Sequence, residues 1–186
     1  MTPHDVEEYR ALRDTIRERG TTRVWVFVGG LVGWAGLLIA TAALAALPVA
    51  TLLPLLVLAA LFEAVFALHT GVERIGRYLQ VYFEDASGWE HVTMAYGRTF
   101  RGGPDPLFTL VFIGAAILNF VPVLIAEPVA IEVAVIGFAH VLFIVRIGLA
   151  RREAGKQRAI DLERFQRLKS PSGQVRRDGP DGQDNS

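Results

Sequence analysis

The sequence predicts an all-α integral membrane protein. It has four transmembrane helices in two hairpins, an N-terminal amphipathic helix, and cytoplasmic helical extensions of the second and fourth spans. Three observations carry this prediction. Hydrophobic residues make up 52% of the 186-residue chain and the mean hydropathy is positive, which is too apolar for an ordinary water-soluble domain of this size. The apolar residues are gathered into long runs, such as LLPLLVLAALFEAVFAL from Leu52, where Glu63 is the only charge. The 19 Lys and Arg balance the 19 Asp and Glu in number but not in position. Five cations lie up to Arg23, four between Arg74 and Arg101, and ten between Arg146 and Arg177, with none around Pro48 or Pro128. Cations mark the cytoplasmic side of a membrane protein, so both termini and the middle connection are expected in the cytoplasm of a multi-pass cell-membrane protein.

Residues 1–22 read as the amphipathic helix. Thr2 can cap it, Pro3 suits the first helical position, Asp5 faces the helix dipole and Gly20 is expected to end it. Val6, Tyr9, Leu12 and Ile16 form its apolar stripe, and Arg10, Arg13, Arg17 and Arg19 are placed on the opposite side. So charged a start predicts no cleaved secretory signal.

The membrane domain with its extensions is expected over 23–169. The first span, about 23–47, carries Trp25 at an interfacial position and stops at Pro48. Gly29, Gly33, Gly36, Ala40 and Ala43 recur at spacings of three and four and form a smooth ridge, expected to pack on the second span or on another protomer. A tight hairpin leads to the second span, about 52–70, which continues without a helix breaker to 85. On this extension Glu73 and Arg77 are spaced to pair. The connection that follows holds a short helical segment, WEHVTMAYG, and interfacial aromatics Trp89, Tyr96 and Phe100 beside His91, Arg98 and Arg101.

Asp105 and Pro106 then read as a cap and first-turn proline for the third span, about 107–126, bent near Pro122. Glu127 and Pro128 close the second hairpin. The fourth span, about 129–150, continues to 169 as a charged helix in which Ile160, Leu162, Phe165 and Leu168 are offered for contacts with the extended second span. Residues 170–186, rich in Ser, Pro, Gly, Asp and Gln, are expected to be disordered.

The polar residues inside these spans are the candidate site: Glu63, His69, Glu73, Asn119, Glu132, His140 and Arg146. At about 1.5 Å per residue, Glu63 and His140 fall at similar depth near mid-membrane, and His69 and Arg146 share a level nearer the cytoplasm. A carboxylate at the centre of a bilayer costs at least a few kcal/mol unless it is protonated, paired or hydrated. Two arrangements satisfy this. Glu63 can pair with His140, and Glu73 with Arg146, fastening the hairpins together. Alternatively Glu132, Asn119, Glu63, His140, His69 and Glu73 line a proton or cation path.

Three functions remain from these features. The first is a non-enzymatic structural or accessory subunit of a membrane assembly, working as a homo-oligomer or with other membrane subunits. The second is a small oligomeric channel or transporter for protons or cations using Glu63, Glu132 and His140. The third is an intramembrane haem or metal redox protein, although His69 and His140 differ in level by about 9 Å. The chain has no cysteine, which excludes disulfides, thiolate metal sites and Cys nucleophiles. No phosphate loop, nucleotide fingerprint or catalytic Ser motif is present, so no enzyme activity and no cofactor are predicted. Membrane topology and contact with anionic lipid explain the basic cytoplasmic rim without nucleic acid.

Overall fold

Five α-helices are present among the described residues. The computed structural model describes residues 2–44, 47–85, 87–99 and 105–170. Helix α1 spans Pro3–Leu44, a single 3-10 turn covers Pro48–Thr51, α2 spans Leu52–Tyr82, and α3 spans Trp89–Thr99. Helix α4 spans Thr109–Ile125 and α5 spans Ala130–Lys169. Among the described residues there is no strand. Three helices, α1, α2 and α5, are long and apolar enough to cross a membrane, and α4 is a shorter apolar helix. Phe100, Arg101 and most of the expected disordered tail, 171–186, lie outside the described residues.

The expected break at Gly20 does not occur. Helix α1 runs unbroken for 42 residues, because one glycine costs a helix only about 1 kcal/mol and no proline follows to remove the next hydrogen bonds. At its start, Thr2 and Asp5 cap each other's backbone, with Asp5 N–H on Thr2 Oγ1 at 3.2 Å and Thr2 N–H on Asp5 Oδ2 at 2.6 Å.

Contacts divide the chain into two units. One unit comprises Glu18–Thr70 and Pro104–Glu153. Its core is apolar: Leu55, Leu58, Phe62 and Val65 of α2 meet Phe112 and Ala116 of α4 and Phe143 and Ile147 of α5. The Phe62 ring meets Phe112 edge-on at 5.2 Å and Phe143 at 6.1 Å between centroids. Helix α1 approaches α2 closely at Gly30, where an added Cβ would collide with a Leu61 methyl. Asp105 holds the entry to α4, accepting from the Leu107 N–H at 3.1 Å and the Thr109 N–H at 2.7 Å. Phe108 and Glu127 adopt left-handed backbone conformations, with φ of 50° and 45°. Such geometry costs a residue with a Cβ on the order of 1 kcal/mol and marks the two ends of α4 as tightly fixed turns.

The other unit comprises Met1–Arg17, Gly71–Gly103 and Ala154–Ser186. Here Tyr78 packs on Tyr82 at 4.7 Å and on Phe165 of α5 at 5.7 Å, and Tyr9 of α1 lies 5.9 Å from Phe83. Of the four apolar α5 contacts expected, Leu162 and Phe165 are partly buried, whereas Ile160 and Leu168 face out. Arg13, placed by the sequence opposite the apolar stripe of the first helix, salt-bridges Glu84 and, at 2.7 Å, Glu90. These two carboxylates follow α2 and begin α3, so Arg13 fastens three segments at once.

Candidate functional site

Within the first-described unit the polar residues of the apolar helices are held in separate groups. The most complete one centres on Asn119, which has no exposed surface. Its amide oxygen accepts from Trp34 Nε1 at 3.2 Å, and its amide nitrogen meets the Thr51 carbonyl at 3.0 Å and His140 Nε2 at 3.2 Å. His140 Nδ1 lies 2.8 Å from the Ile136 carbonyl one turn back on α5. A carbonyl only accepts, so Nδ1 carries the ring proton and Nε2 receives the Asn119 N–H. Every hydrogen-bonding atom of both side chains has a partner, and α1, the 3-10 turn, α4 and α5 all meet at this point. A satisfied polar cluster of this kind fixes helix register.

Glu63 and Arg146 form the second group. Arg146 grips Glu63 with Nε at 2.7 Å and Nη2 at 2.9 Å, and its Nη1 reaches Glu153 at 3.1 Å. The guanidinium also lies 5.2 Å from the Phe66 ring centroid. Glu63 is therefore joined to Arg146 and not to His140, the neighbour expected from depth. Counting residues from the outer end assumes that spans start level and stand upright, and it neglects the reach of an Arg side chain. The ion pair is only half-covered by the protein, with side-chain exposures of 47% for Glu63 and 35% for Arg146.

His69 is buried, and its Nδ1 lies 3.2 Å from Arg23 Nη1. Because the guanidinium donates, Nδ1 is the unprotonated nitrogen in this contact. Glu132 turns back on its own helix and accepts the Val129 N–H at 3.1 Å, so it caps α5. The six residues of the expected proton path are thus held by different partners: Asn119 and His140 meet, while Glu63, His69 and Glu132 are each engaged elsewhere. Among the described residues no three His, Asp or Glu side chains gather in a way that could hold a metal ion.

Glu73, the remaining candidate, belongs to the other unit and pairs with Arg77 at 2.9 Å and Arg158 at 3.0 Å, not with Arg146. The spacing of Glu73 and Arg77 had indicated the first of these bonds. Arg74 meets Asp161 at 3.3 Å. These groups border a cavity of about 460 Å³ whose wall includes Val72, Gly76, Arg77, Met94, Gly97 and Gly155.

The ridge on α1 faces out. Gly29, Gly33, Gly36 and Ala43 are exposed and Ala40 is half-buried. An added Cβ at any of the three glycines would meet nothing within 4 Å. The seam with the second span runs instead through Gly30, one residue away and about 100° round the helix. Trp34 was absent from the expected site. Its signal was a tryptophan well inside an apolar run, away from the interface, where its N–H needs a partner.

No protein-family model, curated protein or solved structure matches the chain.

Proposed function

We propose that the chain is a non-enzymatic structural or accessory subunit of a membrane assembly. In this reading α1, α2, α4 and α5 make four spans in two hairpins, with both termini and the middle connection in the cytoplasm and anionic lipid at the basic rim. The observation that carries the proposal is the bareness of α1. Only 6% of its most apolar stretch is buried by the rest of the chain, against 39% for that of α2. Its exposed face carries the Gly29, Gly33 and Gly36 ridge. Lipid tails are as apolar as these side chains, so a hydrophobic driving force does not explain a ridge cleared of bulk. Close approach of another helix does.

The closed hydrogen bonding of Asn119 and His140 supports a structural use for these groups over a conducting one. A proton relay needs neighbours that themselves take up and release protons, and both nitrogens of His140 face groups that do not, the Asn119 amide and the Ile136 carbonyl.

Purification in mild detergent tests the proposal. The expected result is a stoichiometric partner or a defined homo-oligomer that Gly33→Ile disperses while the chain keeps its helix content. A well-behaved lone monomer in lipid nanodiscs refutes it.

A further inference from the structure

We infer that the face of α2 and α5 around Glu63 and Arg146 is a docking surface for a second copy of this chain, related by a two-fold axis along the membrane normal. This rests on the assembly reading and names one partner for it.

The inference starts from an incomplete ion pair. A guanidinium has five N–H groups, and Arg146 uses three, on both oxygens of Glu63 and on Glu153. Two N–H groups have no acceptor among the described residues, and both side chains are partly uncovered. Water would complete them at an aqueous surface. Here the pair sits on two helices apolar enough to cross a membrane, and no charged residue lies between Arg23 and Glu63. By the span limits read from the sequence, Glu63 and Arg146 lie about 10 Å and about 6 Å inside the cytoplasmic ends of their spans, and hydrocarbon at that level offers no acceptor on the side turned away from Glu153, so the half-covered pair calls for a polar cover there.

Symmetry identifies that cover. Glu63 on α2 and Arg146 on α5 lie side by side, one anion and one cation. When a copy is turned by 180° about the membrane normal and brought face to face, the lateral order reverses. Each Glu63 then faces the other copy's Arg146 at the same depth, with no change of register. The two unused N–H groups gain carboxylate oxygens, and four alternating charges close into a ring. One turn toward the outer side, the neighbouring positions are compatible with contact: Ala60 on α2 is small and exposed, and Leu142 on α5 is an exposed apolar residue. Glu153, seven residues beyond Arg146, adds an anion toward the cytoplasmic side and does not enter the ring.

The absence of native cysteine makes the test direct. One copy carries Ala60→Cys, a differently tagged copy carries Leu142→Cys, and the two are reconstituted together at low protein-to-lipid ratio in phosphatidylcholine vesicles, with or without phosphatidylglycerol. The two-fold arrangement puts α2 against α5, so the mixed disulfide is expected to exceed both like-with-like products, independently of anionic lipid. Glu63→Arg or Arg146→Glu placed in both copies should abolish it, and Glu63→Arg in one copy with Arg146→Glu in the other should restore it. A mixed product no greater than the like-with-like ones overturns the inference. So does failure of the charge-reversed mixture to regain the product lost in the single variants. A product that requires phosphatidylglycerol also overturns it and assigns the cover to a lipid headgroup. If these cross-links fail while Gly33→Cys copies cross-link through α1, the assembly reading stands and this face is not its interface.

Discussion

Replacing Asn119 by Leu removes the hub of the buried polar cluster at nearly constant volume. Three contacts vanish together: those to Trp34 Nε1, the Thr51 carbonyl and His140 Nε2. Hydrogen bonds between membrane helices average about 0.6 kcal/mol, so the three sum to about 2 kcal/mol, or about 30-fold in the unfolding equilibrium. Stranding the groups left behind sets a higher ceiling, since each buried unpaired donor or acceptor costs about 1–3 kcal/mol. Trp34→Phe removes only one of the three bonds and should cost about 1 kcal/mol for the contact and the smaller ring. The assay is reversible unfolding in bicelles, followed by far-ultraviolet circular dichroism and by steric trapping of the unfolded form. Asn119→Leu should be the more damaging change by about twofold or more in free energy. If it costs less than about 0.5 kcal/mol, or no more than Trp34→Phe, the cluster does not hold the helices in register.

Two further outcomes follow from local geometry. Gly30→Val should destabilise the chain by about 1–3 kcal/mol, because its side chain enters the space of Leu61, whereas Gly33→Val should leave monomer stability unchanged; the same unfolding assay compares them. Burial alone would raise the Asp105 carboxyl, but the hydrogen bonds from Thr109 and Leu107 and the charge of Arg151 outweigh it and hold the group below its ordinary value. Its contribution to stability is therefore complete above the unfolded carboxyl's value of about 3.9, and is lost as pH falls through the lower folded value. Asp105→Asn should lower stability by about 1 kcal/mol at neutral pH and flatten the dependence below about pH 4, as read from unfolding midpoints.

The helical class and most element ends were legible because proline, capping residues and unbroken apolar runs act locally. The Glu127–Pro128 pair separates α4 from α5 as expected, and Trp89–Thr99 is helical as its pattern indicated. Gly20 misled because a helix break depends on what the whole segment gains from staying helical. The α1 ridge was legible as a pattern but not as a direction: Gly30 and Gly33 look alike in sequence, and only packing shows that Leu61 lies over one and open space over the other. The candidate site was legible as a set of residues. Its pairings were not, because they depend on helix tilt and on side-chain reach, and Arg146 spans a difference in level that residue counting assigns to His140.

The open ridge on α1 also bears on what any contact made there costs. Glycine and alanine have no side-chain rotamers to freeze, so covering Gly29, Gly33, Gly36 and Ala43 forfeits almost none of the side-chain entropy, up to about 2 kcal/mol per residue, that ordering long side chains would. The contact then depends on shape at the backbone surface, where a single added methyl group changes the distance of approach along a whole helix turn. Any contact made there is sharply selective for its partner's contour and, because closing it forfeits little entropy, can be held by modest packing alone.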